Sequence, residues 1–136
     1  RAKIRSIGLS DKVLFLGSRF DVERYYQAFD YFVFPSTYEG LPGSVAEAQA
    51  SGLCCLVSDK VTREAALTEL VTYKSIEETA ANWAGEIMRN AKSALERKDM
   101  RAAIAAKGFD VRGLAAKMQA FYISGQNPPG VVTRGV

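Results

Sequence analysis

YFVFPSTYEGLPGSVAEAQA, residues 31–50, is an apolar run that breaks into a Pro-Ser loop, a glutamate, and then a helix carrying a second glutamate. Glu39 and Glu47 have seven residues between them. This spacing sets the first where a strand should end and the second about a turn into the following helix, so both carboxylates can face the carboxyl edge of one sheet. Open α/β folds bind ligands at that edge.

The neighbouring sequence supports such a sheet. Val13–Leu16, Tyr31–Phe34, Cys54–Val57 and Leu70–Tyr73 are short apolar runs rich in β-branched or aromatic residues, and helical patterns separate them. Alternating strands and helices imply parallel pairing, and FVF and CCLV read as strands buried on both faces. The fold class is therefore α/β, a parallel sheet with flanking helices. Asp21 is placed to cap a helix running through Phe29, Pro42 suits a first helical turn, and Gly52 suits a helix end. Ser75 and Glu78 form a capping-box pattern, after which Ala80, Trp83, Ala84, Ile87, Met88, Ala91 and Leu95 recur at helical spacing and should pack on the sheet. Two more helical stretches, near Met100–Lys107 and Val111–Ile123, each follow an aspartate, and the second carries Leu114, Met118, Phe121 and Tyr122 on one side. Residues 1–124 read as one domain, and GQNPPGVVTRGV, residues 125–136, as a flexible tail.

Composition narrows the chemistry. A formal charge of +3 spread over 136 residues, without a basic run or interleaved aromatics, argues against nucleic acid binding. No stretch reaches transmembrane length and the amino terminus lacks a signal-peptide core, so the expected location is cytoplasmic. Cys54 and Cys55 are adjacent in a strand-like run that points them to opposite faces, which suits reduced, buried thiols better than a disulfide or metal site. The sequence has no histidine, which removes Ser-His and Cys-His pairs, imidazole bases and most zinc sites. Carboxylates, hydroxyls and backbone amides are left to do the chemistry.

A helix amino terminus at Gly40–Ser44 offers N–H groups and the favourable end of the macrodipole to a phosphate, and Gly40 and Gly43 let backbone come close. A glutamate beside such an anion site suits the vicinal hydroxyls of a ribose or sugar ring, and Glu47, fixed on the helix, is the better ribose candidate. Taken singly, Glu47 is also an ordinary helix residue, Glu39 an ordinary loop residue, and Pro35, Ser36 and Gly52 ordinary element ends. Their joint spacing is much less common.

At these residues the chain resembles the group 1 (family four) retaining glycosyltransferases, whose second domain carries P-S-x-x-E-G-[FL]-P-x-x-x-x-E-A-x-A-x-G. Here the pattern reads Pro35-Ser36-Thr37-Tyr38-Glu39-Gly40-Leu41-Pro42 and then Glu47-Ala48-Gln49-Ala50-Ser51-Gly52. Upstream, Leu9–Gly17 followed by Tyr25-Tyr26 and Asp30 is similar to the family's strand, base-binding loop and next helix. The likeness runs from about Arg1 to Tyr73, more weakly to Ile123, and Asp59–Tyr73 is most similar to exopolysaccharide and capsule enzymes.

The resemblance implies a partial, Rossmann-like C-terminal domain of a two-domain GT-B fold, which binds a nucleoside-diphosphate sugar while the other domain binds a glycan or lipid-linked glycan acceptor. Carried over by position, Glu47 holds the ribose hydroxyls and Glu39 touches the donor sugar as the catalytic candidate. Ser36, Gly40, Leu41, Pro42 and Gly43 contact sugar or diphosphate, and Gly17, Ser18 and Arg19 line the base. No metal or other cofactor is expected. The family's Arg and Lys that neutralise the leaving diphosphate have no counterpart in these residues, so the chain alone is expected to be inactive. Residues 59–64 lack the Gly-Gly often found after the strand aspartate, and no role is carried over to Glu64. In the family's strand order, the last three runs should be adjacent, while Val13–Leu16 pairs directly with Tyr31–Phe34, pairs with another copy, or stands apart. An exposed sheet edge then favours self-association, and the full-length protein is expected in the cytoplasm or peripheral at the inner membrane face. Alternative readings are a nucleotide-sugar epimerase of the same architecture and a non-catalytic nucleotide-binding α/β module.

Overall fold

Three parallel strands organise the computed structural model, which describes residues 1–94 and 97–124. They are β1 (Phe32–Phe34), β2 (Cys55–Ser58) and β3 (Val71–Lys74), hydrogen-bonded in the order β1-β2-β3. Phe34 lies opposite Val57, and Val57 opposite Tyr73. The helices are α1 (Ala2–Ser6), α2 (Val22–Ala28), α3 (Gly43–Ala50), α4 (Ala80–Ala94), α5 (Arg101–Ala106) and α6 (Val111–Ser124). This is an α/β layer with a parallel sheet and flanking helices, consistent with a partial Rossmann-like domain. The three expected neighbours are adjacent, each strand lying within a residue of its expected bounds. The expected tail at 125–136, and Leu95, lie outside the described residues.

All four residues of β2 are buried, as a strand with a neighbour on each side and layers on both faces must be. Cys55 and Val57 join Tyr26, Val45, Ala48, Leu53, Val61 and Ala65 in the main core, with Phe32, Phe34, Val71 and Tyr73 packed against it. Alternation turns Leu56, also fully buried, to the other face. Each such side chain contributes about 1.5–3 kcal/mol by leaving water. A second cluster, Leu67, Met100 and Ile104 with Ala46 and Ala50, joins α5 to α3. Both cysteines are free thiols, Cys55 buried and Cys54 half-buried, and burial pushes the Cys55 thiol up to about 12.

Four expectations need correction. Val13–Leu16 forms no strand: Leu14 is 83% exposed, and Phe15 and Leu16 are exposed beside it. Within the chain this run does not pair with β1 and stands apart from the sheet. Strand propensity is local, whereas a strand exists through the hydrogen bonds of a neighbour. Second, β1 is not buried on both faces, because Val33 is 39% exposed on the side turned away from Phe32 and Phe34. Third, Ser75 and Glu78 do not open α4. The Ser75 hydroxyl accepts from Glu77 N–H (3.3 Å) within a turn, and Thr79 Oγ1 accepts from Asn82 N–H (3.2 Å) at the helix start. Fourth, α4 packs through part of its expected stripe: Trp83 is buried and its Nε1 donates to Ser75 O at 2.9 Å, while Ala80, Ala84 and Met88 are exposed.

The helix stops are clearer. Gly52 follows α3 with φ +74°, its N–H donates to Gln49 O (2.9 Å), and Leu53 N–H donates to Ala48 O (3.0 Å). These are the paired bonds of a Schellman ending. Asp110 caps α6, its carboxylate accepting from Gly113 N–H at 2.8 Å. No residue of α6 is buried, and Leu114, Met118 and Tyr122 are exposed.

Candidate functional site

The segment from the end of β1 to the start of α3 builds the candidate site. Pro35 ends the strand, and the loop that follows is held to the sheet by a parallel bridge between Glu39 and Val61. From the Phe34–Val57 pair to the Glu39–Val61 pair, the β1 side uses one residue more than the β2 side. The loop therefore bulges over the carboxyl edge. Within it the Ser36 hydroxyl lies 3.3 Å from both Glu39 Oε1 and Tyr38 O. Glu39 and Gly40 are exposed and Ser36 is half-buried.

Pro42 is the N-cap of α3, one position before the first helical turn where it was expected. The helical ladder begins with Val45 N–H to Pro42 O at 3.2 Å, so the N–H groups of Gly43 and Ser44 precede it. A Cβ on Gly40 or Gly43 would meet no heavy atom within 4 Å, and neither residue has a positive φ. Internal packing does not require glycine at either place, and open space lies where each Cβ would stand.

Glu47 projects from the second turn of α3 on an exposed flank. Its Oε2 accepts from Tyr26 of α2 at 3.3 Å, and burial, reinforced by the Glu47 charge, pushes the Tyr26 phenol up to about 12. Glu47 borders two shallow hollows. One of about 270 Å³ is shared with Leu41, Gly43, Ile104 and Phe109, and one of about 260 Å³ with Val22, Glu23, Tyr26 and Ser51. Larger hollows occur elsewhere, including an apolar one of about 380 Å³ beside Val33 and Trp83.

The structure brings Glu39, Gly40, Leu41, Pro42, Gly43 and Glu47 into one loop and helix start, with Ser36 bonded to Glu39. The interactions found for the Gly17–Arg19 loop are instead local. Arg19 pairs with Asp21 (Nε to Oδ1, 3.1 Å) and lies 5.3 Å from the centre of the Tyr25 ring. The Arg19 hydrogen bond also holds the Asp21 carboxyl below its ordinary value. Asp21 thus occupies the N-cap position of α2 as expected, but its side chain serves Arg19 instead of capping the helix. Among the described residues, no three acidic or cysteine side chains converge as a metal-ligand set.

Gln49 is the residue that motif reading passed over. It is fully buried in α3, beside Val45 and Ala48. The signal was the helical repeat itself, since Val45, Ala48, Gln49 and Gly52 form a buried-type stripe with one polar member.

With this geometry in view, the comparisons assign the family: residues 1–90 match the model for glycosyl transferases group 1, and the chain belongs to that family. It is similar to a protein of Bacillus subtilis (strain 168) provisionally named as the glycosyltransferase EpsF, with 37% identity over 88% of this chain and 32% of the relative. It is also similar to the UDP-Gal:alpha-D-GlcNAc-diphosphoundecaprenol alpha-1,3-galactosyltransferase of Escherichia coli, 43% identical over 39% of this chain and 14% of the relative. A third relative, the lipopolysaccharide core biosynthesis mannosyltransferase LpsB of Rhizobium meliloti (strain 1021), is 34% identical over 57% of this chain and 21% of its own. The chain therefore spans about a third or less of the length of these relatives. No solved structure matches it.

Proposed function

We propose that the chain is part of the C-terminal donor-binding domain of a retaining hexosyltransferase, which moves a sugar from a nucleoside-diphosphate donor to a polysaccharide or lipid-linked glycan acceptor. The observation that carries this reading is the open start of α3, flanked by Glu39 on the bulged loop and Glu47 on the helix, with Gly40 and Gly43 facing unfilled space. A diphosphate accepts hydrogen bonds from helix N–H groups and is favoured by the macrodipole. In this reading Glu47 accepts from the ribose hydroxyls, Glu39 contacts the donor sugar, and the segment from Ser36 to Gly43 follows sugar and diphosphate. The Gly17–Arg19 loop lines the base once Arg19 turns from Asp21.

The reaction breaks the bond between the anomeric carbon and the diphosphate oxygen, and the acceptor hydroxyl attacks from the same face. The electron pair leaves with the nucleoside diphosphate, and the acceptor proton passes to the leaving oxygen. Such a reaction needs no protein nucleophile, metal or other cofactor; positioning and electrostatic stabilisation of the diphosphate supply the catalysis. The activity for which the E. coli relative is named supports a lipid-linked acceptor. Among the described residues no helix is long and apolar enough to cross a membrane, and we place the full-length protein in the cytoplasm, peripheral at the inner membrane face.

Calorimetry with a panel of nucleoside diphosphates tests the donor site, and transfer of labelled sugar by the full-length protein tests the enzyme. Binding by the parent, weakened about tenfold or more in Glu47→Ala, is the expected result, because a hydrogen bond to a charged group is worth roughly 1.5–3 kcal/mol. Equal binding by both would remove the ribose role from Glu47. Nucleotide binding without sugar transfer would favour a non-catalytic module, and interconversion of the donor sugar an epimerase.

A further inference from the structure

We propose that Gln49 is the positioning residue of the donor edge: its buried carboxamide holds residues 61–68 against α3 and thereby sets where Glu39 stands relative to Glu47. The functional consequence rests on the donor-site reading above; the mechanical one does not.

Gln49 is 0% exposed, and its carboxamide is fully used. The Nε2 donates to Val45 O (3.0 Å) and Ala65 O (2.8 Å). The Oε1 accepts from Leu67 N–H (3.0 Å), Thr68 N–H (2.9 Å) and the Thr68 hydroxyl (3.0 Å). Exchanging the amide oxygen and nitrogen would set donors against donors, so the bonding partners fix one orientation. A buried amide costs free energy unless its partners are all in place, whereas methionine or leucine would fill a similar volume without that requirement. A fully satisfied polar group therefore contributes position more than bulk stability.

The position it sets is that of the segment following β2. At the far end of this segment Val61 bridges Glu39. In between, the Thr62 carbonyl accepts from the Tyr73 hydroxyl at 2.8 Å, and Arg63 covers the Tyr73 ring at 3.9 Å from its centre. Glu39 is thus tied to α3 by two routes. One is the chain itself through Gly40–Pro42, and the other runs through Val61, the 62–68 segment and Gln49. Glu47 stands two residues from Gln49 on the same helix. Releasing the carboxamide removes the polar link of the second route, leaving the core packing of Val61 and Ala65 and the Tyr73–Thr62 bond to hold the segment, and so loosens the separation of the two glutamates.

The test uses the full chain as parent, Gln49→Met and Gln49→Glu, measuring amide hydrogen exchange by residue and affinity for nucleoside diphosphate. In Gln49→Met, exchange at Leu67, Thr68, Val61 and Glu39 should rise about tenfold while β2 stays protected, and affinity should fall about tenfold. In Gln49→Glu, an ionised carboxylate has no donor for Ala65 O, whereas the protonated acid has both an acceptor and a donor. The residues bonded at this site, Val45, Ala65, Leu67 and Thr68, bring no titratable side chain. Protection at Glu39 should therefore recover as pH is lowered from about 8 to about 5 in this variant and not in Gln49→Met. Unchanged exchange at Val61 and Glu39 in a folded Gln49→Met would overturn the proposal, as would unchanged affinity in a chain whose parent binds. If Gln49→Met does not fold, Thr68→Val, which deletes one donor to Oε1 together with the acceptor of Leu70 N–H, should raise exchange at Thr68 and Glu39 about threefold, and no rise at Glu39 overturns the proposal. A parent that binds no nucleotide would defeat the donor-site reading alone, with the exchange measurements still deciding the role of Gln49.

Discussion

The Tyr26 hydroxyl of α2 donates to Glu47 Oε2 of α3 across 3.3 Å, joining residues 21 positions apart in the chain. Tyr26 is itself fixed, since it is buried and meets the Phe32 ring edge-on at 5.7 Å between centres. A carboxylate offers about four acceptor sites. One phenol orients the Glu47 group while leaving acceptor capacity for two vicinal hydroxyls, which is the arrangement a ribose would use.

Tyr26→Phe should weaken nucleoside diphosphate binding about threefold, less than the roughly tenfold or greater loss in Glu47→Ala, because it removes an orienting bond and not the ligand's acceptor. Calorimetry on both variants checks the order. A Tyr26→Phe loss equal to that of Glu47→Ala would mean that the phenol contacts the ligand directly.

The Tyr26 phenol also carries a pH signature, raised from its ordinary value near 10 to about 12, first by burial and then by Glu47. Below pH 10 folded and unfolded chains both hold the proton, so its contribution is complete. As pH rises from 10 towards 12 the unfolded chain releases the proton first, and stability falls. Thermal melts between pH 9 and 12 should show a shallower decline for Tyr26→Phe than for the parent. Identical slopes would remove the raised phenol from the account.

Glu39→Gln in the full-length protein should lower kcat more than it weakens nucleotide affinity, since a group beside the donor sugar acts on the reacting geometry. Steady-state kinetics with separate nucleotide titrations distinguish the two. Normal turnover with lost affinity would exchange the roles given to Glu39 and Glu47.

Gly52→Ala should destabilise the chain by about 2 kcal/mol or more. The residue has φ +74°, and a Cβ there would lie 2.4 Å from the Lys98 carbonyl oxygen, which is backbone and cannot swing aside. Urea unfolding measures the loss. A change of less than about 0.5 kcal/mol would show that the α3 ending and the 97–100 segment yield readily.

β1 is an edge strand of the described sheet, and Val33 on one of its faces and Leu14 and Phe15 elsewhere are exposed, which predicts that the isolated chain self-associates. Val33→Lys should shift it towards monomer in sedimentation velocity at tens of micromolar, on the order of the concentrations at which such edges associate. A parent that sediments as a monomer at the same concentration would refute the prediction.

Local patterns sufficed for much of this molecule. Apolar runs at 32–34, 55–58 and 71–74 separated by helices specify a parallel α/β layer, since strands of that kind need crossovers and cover on both faces. Gly52 specifies the end of α3, and the Glu39–Glu47 spacing specifies which edge carries the proposed site. Other features depend on partners distant in the chain. Val13–Leu16 has the composition of a strand, but pairing decides whether it becomes one, and no neighbour among the described residues receives it. Asp21 has the chemistry of a cap, yet Arg19 takes its carboxylate. Helix capping at 75–79 was decided by which residue the Trp83 packing brought to the helix start, and that was Thr79. The bonds from Tyr26 to Glu47 and from Gln49 to residues 65–68 span long separations and depend on α2, α3 and the 61–68 segment lying side by side. The sequence by itself thus determined the parallel layer and the two carboxylates as candidates, because these follow from periodicity and spacing, while the expected order of the strands came from the family resemblance. The tertiary structure alone decided how those carboxylates are held, because a hydrogen bond depends on tenths of an ångström between groups whose positions the whole packed core sets.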